Sequence, residues 1–341
     1  MTGARDSYTP NGFPTVLVTG AGGAAAVTLI QALCGDHRVI AADIDPLAVG
    51  LYLVPSEQRV LLPRGDDPAF VESLLAAAQS HGADLVIPTV DVELLPVSEA
   101  VSTFAEKGIR VLVESPATLG RCLDKYELMR RCAQSVRVPR TVLWGPATTD
   151  EQLASLGLPL IAKPRRGAGG RGFAVYDSAD AARLPPRDDS YILQEYLPGD
   201  EFSIDVLARP DGVVVAAVPR RRDKVDSGIA IAGRTVRDDA LVAFGRAVAE
   251  TIGATGVVNV QARYAVDGQP ALLEVNARFP GTMALTRAAG VDMPRLAVKG
   301  AFGGELPSAM DFTEVAMVRH WADVEVPIDD YACTRLTPSL T

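Results

Sequence analysis

Two short stretches carry most of the chemistry that can be read from this chain. The first is Leu160–Phe173, LIAKPRRGAGGRGF. An apolar strand delivers Lys163, Pro164 stops regular structure, and Gly167, Gly169, Gly170 and Gly172 follow within a few positions. Glycines allow positive φ and close backbone approach, so successive N–H groups can point at phosphate oxygens. Lys163 adds a point charge, and Arg165, Arg166 and Arg171 make the stretch basic in an otherwise acidic chain. No Lys-Ser or Lys-Thr follows the glycines, so this is not a Walker loop.

The second is Leu272–Arg278, LLEVNAR. Glu274, Asn276 and Arg278 alternate, so in a strand they share one face. Upstream runs VNVQ, and a hairpin through Asp267-Gly268 would bring Gln261 across from Glu274. A carboxylate and two amide oxygens form a hard-oxygen site suited to Mg²⁺ (or Mn²⁺) bridging nucleotide phosphates. Arg278 could then stabilise charge on a transferred phosphoryl group. The plain alternative is a solvated sheet face on which Glu and Arg pair.

A third candidate, Gly20–Ala25 (GAGGAA), follows a strand, opens a helix and precedes Asp43 at the end of the next strand. That is the layout of a dinucleotide fingerprint. It is equally the tight turn that any doubly wound domain needs, and the stretches downstream favour this second reading.

Positioning these residues requires two kinds of sheet. Thr15–Thr19, Arg38–Asp43, Asp84–Pro88 and Ile109–Val113 read as buried strands. Ala24–Leu33, Phe70–Ser80 and Leu94–Glu106 read as the helices between them. This alternation indicates a parallel sheet covered on both faces. Beyond Ser115-Pro116 a helix over Ala117–Cys132 leads to strands at Pro139–Val142 and Leu160–Pro164. After Asp180 the pattern is mostly strand: Tyr191–Gln194, Glu201–Ala208, Val213–Val218, Val257–Tyr264, Pro270–Val275 and Glu314–Val318. One helix, Arg237–Ile252, interrupts it. Segments 201–208 and 213–218 read as an antiparallel hairpin.

The 341 residues suffice for two or three domains, with 48% hydrophobic and 22% charged residues. A net charge of −9 argues against a general nucleic-acid binder. No apolar run is long enough to span a membrane, and the first residues lack the order of a secretory signal, so a cytoplasmic location is expected. Cys34, Cys122, Cys132 and Cys333 are scattered, and with three histidines no zinc site is expected. They read as reduced, packing cysteines.

Taken in order, Asp124-Lys125, LIAKP with GAGGRG, LQEYLPGDE, VNVQAR and LLEVNARFPG resemble the ATP-grasp superfamily. The likeness is to its branch similar to the carbamoyl phosphate synthase large subunit and related carboxylate–amine ligases. It spans roughly residues 15–305 and implies an α/β fold: a doubly wound parallel pre-grasp sheet, then a two-lobed grasp with antiparallel sheets. The expected divisions are a disordered leader over 1–13 and a Rossmann-like pre-grasp domain over 14–116. A small lid lobe over 117–197, a large lobe with the metal site over 198–305 and a strand with a tail over 306–341 follow.

The resemblance also implies roles. Lys125 and Lys163 look like the two lysines on the ATP phosphates, under a lid formed by Gly167 to Gly172. Glu195 and Leu197, with Tyr196 between them, sit where the hinge holds adenine through a side chain and a backbone N–H. Glu201 looks like the ribose acid. Glu274 and Asn276 look like metal ligands, with Gln261 as a further one, and Arg278 like the residue that steadies an acyl phosphate. Asp91 and Glu93, after a strand end, are placed to line the substrate crevice and hold an ammonium group. Arg220, Arg222, Ser227 and Gly228 belong to a basic loop that could clamp a carboxylate.

The implied enzyme activates a carboxylate, an amino acid by preference, as an acyl phosphate and passes it to an amine, releasing ADP and phosphate. Its partners are small molecules, neither nucleic acid nor membrane, and a homodimer is compatible with it. A single grasp unit without an amidotransferase domain speaks against carbamoyl phosphate synthesis by this chain alone. The rival readings are carboxylation through carboxyphosphate or other phosphoryl transfer, a nicotinamide-dependent oxidoreductase using Gly20–Gly23 and Asp43, and a nucleotide-binding regulator.

Overall fold

The computed structural model describes residues 12–167, 171–179, 184–226 and 228–331. Their strands form three sheets. The first contains β1 (Val16–Val18), β2 (Val39–Asp43), β3 (Arg59–Leu61), β4 (Leu85–Ile87) and β5 (Arg110–Val111), parallel and ordered β3-β2-β1-β4-β5. Helices α1 (Ala24–Leu33) and α2 (Phe70–Ser80) cover its two faces. Alternate residues of β1 go to opposite sides, as the pleat requires: Val16 and Val18 pack with Leu29, Ile30 and Leu33, whereas Leu17 packs with Phe70 and Leu74. Burial on both faces explains why these strands are continuously apolar.

The expected helix over Leu94–Glu106 is instead two: α3 (Asp91–Glu99) and α4 (Val101–Glu106). Asp91 and Glu93 therefore sit in the first turn of a helix, not in a loop, where acids complement the helix dipole. The expected helix over Ala117–Cys132 also divides, into α5 (Pro116–Leu123) and α6 (Lys125–Cys132). The break is Asp124, which adopts an extended backbone and accepts hydrogen bonds from the amides of Tyr126 and Glu127. A capping side chain satisfies the first donors of the new helix, which is why the chain restarts there.

Then come β6 (Thr141–Trp144), α7 (Asp150–Ser155), β7 (Leu160–Pro164), β8 (Ala174–Tyr176) and β9 (Tyr191–Glu195), their strands forming an antiparallel sheet ordered β6-β9-β7-β8. The remaining strands are β10 (Glu201–Ala208), β11 (Val214–Asp226), β12 (Ile229–Thr235), β13 (Val257–Tyr264), β14 (Pro270–Asn276) and β15 (Ala316–Val318). They form a six-stranded antiparallel sheet, β14-β13-β10-β11-β12-β15. Helix α8 (Asp239–Ile252) begins at a capping Asp238 and stops at Gly253, whose φ of 72° suits glycine. Its Leu241, Phe244, Val248 and Ile252 pack on Phe202, Ile204 and Val206 of β10. Each such buried side chain contributes about 1.5–3 kcal/mol, so the helix fixes the sheet that carries the site. Two further helices, α9 (Met283–Ala288) and α10 (Met293–Ala301), close the large sheet against α1.

The expected basic loop at Arg220–Asp226 is the second half of β11, paired with β12. Arg220 is buried, and its guanidinium forks onto Asp205 of β10, which also receives Asn259 and Thr286. A buried carboxylate of this kind is tolerable only when every lone pair has a donor. Arg220 is therefore a structural ion-pair partner within the sheet, not a clamp for substrate.

Cys34, Cys122 and Cys132 are free thiols, the last two buried; Cys333 lies outside the described residues. No helix among the described residues is long and apolar enough to cross a membrane.

Candidate functional site

The three sheets meet around a cleft of about 1200 Å³, and most of the residues singled out above line it. At one end stand the two lysines. Lys163 arrives on β7, with its ammonium donating to the carbonyl of Leu273 at 3.1 Å. Lys125, in the first turn of α6, donates to the carbonyl of Gly167 at 2.7 Å. Burial pushes the Lys163 amine down to about 8, against the opposing pull of Glu274, and burial lowers Lys125 as well. Two desolvated ammonium groups without a full counter-charge are prepared for an anion. Gly172 has φ of 75° and packs its backbone on Pro164, without reaching the cleft wall. Gly169, Gly170 and Ser227 lie outside the described residues.

Beside the lysines, β13 and β14 run antiparallel, and a bulge between Gln261 and Ala262 sets Gln261 opposite Glu274 and Asn259 opposite Asn276. Gln261, Glu274 and Asn276 all face the cleft. One carboxylate and two amides are a hard donor set, too few to form a self-sufficient cage. No cluster of three or more His, Cys, Asp or Glu with metal-binding geometry exists among the described residues. Such a set fits Mg²⁺, which keeps waters and takes further ligands from substrate phosphates.

Between β9 and β10, Tyr196 and Leu197 line the cleft. The Glu195 carboxylate is already engaged: it accepts from the Arg140 backbone N–H at 3.0 Å and from its Nε at 2.7 Å. Glu195 also lines the cleft, and its ion pair with Arg140 ties β9 to the start of β6. Glu201 is held between Arg222 and Arg263, the latter at 3.2 Å. Arg222 also donates to the carbonyl of Gly228 at 2.8 Å. Sequence reading missed Arg263; its only signal was its place on the strand of Gln261.

The opposite wall comes from the parallel sheet. Arg278 forks onto Asp91, with Nε to Oδ1 at 2.7 Å and Nη2 to Oδ2 at 2.9 Å. Glu93 is buried beneath and accepts a hydrogen bond from the Thr19 hydroxyl, which in turn accepts from the amide of Thr89 at 3.2 Å. Burial raises the Glu93 carboxyl to about 7, with Thr19 pulling the other way. The chain passes so close at Gly65 that a Cβ there would lie 2.6 Å from the Glu93 side chain. Thr19 was overlooked because a threonine at a strand end carries no signal of its own. Asp43 lines the cleft and accepts from the amides of Gly22 at 2.7 Å and Asp45 at 2.9 Å. The acid of the dinucleotide-like layout is therefore spent on its own glycine turn.

Residues 16–112 match the family described as PylC-like, N-terminal domain, and residues 187–324 match ATP-grasp in the biosynthetic pathway with Ter operon. Among solved structures, the chain is similar to a Campylobacter jejuni biotin carboxylase in complex with β-γ-ATP (18% identity, 86% of this chain and 72% of that one, TM-score 0.70). It is likewise similar to the N5-carboxyaminoimidazole synthetase of Staphylococcus aureus complexed with ADP (15% identity, 88% and 80%, TM-score 0.71). A third is the biotin carboxylase domain dimer of the Hydrogenobacter thermophilus 2-oxoglutarate carboxylase, with MgADP, ADP and bicarbonate (18% identity, 86% and 70%, TM-score 0.67). At these identities the structures speak to fold, and the family matches agree with them. The chain thus carries a PylC-like N-terminal domain over residues 16–112 followed by an ATP-grasp domain matched over residues 187–324.

Proposed function

We propose that the protein is an ADP-forming carboxylate–amine ligase that activates the carboxyl group of an amino acid as an acyl phosphate. The observation that carries this reading is convergence. Lys163 on β7 of the four-stranded sheet, Lys125 at the start of α6, and the Gln261–Glu274–Asn276 face with Arg278 on and just beyond the large sheet all line one cleft. In this assignment 117–197 is the lid lobe and 198–305 the large lobe of the grasp.

Lys125 and Lys163 bind the ATP phosphates and cancel their charge, with Gly167 and Arg171 beside them in the cleft lining. Tyr196 and Leu197 enclose the adenine, and Glu201 accepts from the ribose hydroxyls. Glu274, Asn276 and Gln261 would hold Mg²⁺, which supplies neutralisation of phosphate charge. A substrate carboxylate oxygen attacks the γ-phosphorus and ADP departs. Arg278 steadies the acyl phosphate, an amine attacks its carbonyl carbon, and phosphate leaves. Glu93 and Asp91 orient an ammonium group. Positioning and exclusion of water supply the catalysis, and no protein nucleophile is needed.

Hydroxylamine intercepts acyl phosphates as hydroxamates, so it tests this reading directly. Incubation with MgATP, a pool of L-amino acids and hydroxylamine should give an amino acid hydroxamate in proportion to ADP. A second reading, carboxylation through carboxyphosphate, is favoured by the fold shared with carboxylases, one of them holding bicarbonate. ADP release that depends on bicarbonate and gives no hydroxamate would select it.

A further inference from the structure

The Asp91–Arg278 pair joins two units of the molecule across the cleft, from residues 187 apart in sequence. Asp91 belongs to the first turn of α3 on the parallel sheet, and Arg278 lies just beyond β14 of the large sheet. Both side chains are about four-fifths covered, at 20% and 22% exposure. A guanidinium presents one Nε/Nη2 edge that matches a carboxylate or phosphate bidentately. Here Asp91 occupies that edge, and Nη1 turns to the carbonyl of Phe279 at 3.3 Å. A reacting carboxyl group must therefore displace Asp91 to take the Nε/Nη2 edge of Arg278.

We propose that Asp91 is a gate on Arg278, opened by a free α-amino acid whose carboxylate takes Arg278 while its ammonium group takes Asp91. The proposal rests on the ligase reading and names the substrate class that the cleft admits. The physical argument is charge conservation at a covered pair. Separating Asp91 from Arg278 leaves two poorly solvated charges, and each must find a new partner. A zwitterion replaces both partners at once. A carboxylate without an amino group strands Asp91, and an amine without a carboxylate strands Arg278, so the pair selects against both. The same contact keeps Arg278 from assisting the attack of water on ATP while substrate is absent.

The test compares the wild type with Asp91→Asn, which keeps the shape and removes the charge, and with Asp91→Glu, which keeps the charge. Binding is measured calorimetrically in the presence of MgADP, so that no turnover is required. The probes are an equimolar pool of the proteinogenic L-amino acids and the matching pool of des-amino carboxylic acids. The wild type should favour the amino-acid pool by about tenfold or more, and Asp91→Asn should lose that preference chiefly by gaining affinity for the des-amino pool. Asp91→Glu should keep the preference. ADP formation from MgATP without substrate should rise several-fold in Asp91→Asn. Equal binding of both pools by the wild type, no binding of either, or an undiminished preference in Asp91→Asn would overturn the gate. A fall in substrate-free ADP formation would make Asp91 a mere support for Arg278. Because the preference is read without catalysis, it stands or falls separately from hydroxamate formation, which tests the parent reading.

Discussion

Arg165 donates from Nε to both carboxylate oxygens of Asp124, at 3.0 and 2.9 Å, while the same carboxylate caps helix α6. Burial alone would raise the Asp124 carboxyl, but the guanidinium beside it and the capping amides hold it below the ordinary range. One fully buried side chain thereby joins Lys125, at the start of α6, to the stem of the glycine loop that follows Lys163. The two lysines are spaced by this contact rather than by the sheet alone.

Asp124→Ala should therefore act on stability and nucleotide binding together. Loss of the cap costs about 1 kcal/mol. Arg165 is partly exposed and can return to water, so the total should be about 1–2 kcal/mol rather than the larger cost of stranding a buried charge. Chemical denaturation measures the first effect. A rise in the KM for ATP, with kcat less affected, measures the second.

Lys163 makes nucleotide binding depend on pH in a definite direction. Its amine sits at about 8 in the open cleft, and bound phosphates draw it back towards the ordinary value. Binding at pH 9 must then take up a proton, and affinity should weaken as pH rises above 8, by at most about tenfold per unit. Calorimetry in two buffers of different ionisation enthalpy reads the uptake. Lys163→Gln should lose most of it.

Glu93 gives its signal in stability rather than in binding. Unfolded, its carboxyl ionises near 4.5; folded, it keeps its proton to about 7. The folded chain thus holds the extra proton between those values, and its stability falls as pH rises through that window, by up to roughly 3 kcal/mol from this group. Glu93→Gln should flatten that part of the stability profile. A difference in unfolding free energy that does not change between pH 4.5 and 7 would contradict the assignment.

Legibility in the sequence followed the range of the interaction. Helices α1 and α2 and strands β7, β10 and β13 have the expected bounds, because their periodicity or apolar runs are local signals. The Asp267-Gly268 hairpin was legible, but its turn alone would set Gln261 against Leu273; a bulge between Gln261 and Ala262 shifts the register and brings Glu274 opposite. Strand β12 (IAIAGRT) was missed: its small residues and glycine resemble a turn, and the charged half of β11 beside it resembles a loop. Arg220 and Arg222 look alike in sequence and have different fates. Asp205 on the neighbouring strand claims Arg220 in the interior, whereas Arg222 meets Glu201 at the cleft. The partner of Glu195 is not legible in the sequence, because only the return of the chain at Arg140 brings it there. Asp91 was seen as a crevice acid, but its hold on Arg278 depends on how two separate sheets dock.

The most direct test of the central claim is the identity of the nucleotide product. MgATP is incubated with the wild type and with Glu274→Ala, with and without the L-amino-acid pool, and the nucleotides are separated. The expected result is ADP and phosphate in equal amounts, dependent on amino acids and reduced by at least about a hundredfold in Glu274→Ala. Release of AMP and pyrophosphate would contradict activation through an acyl phosphate.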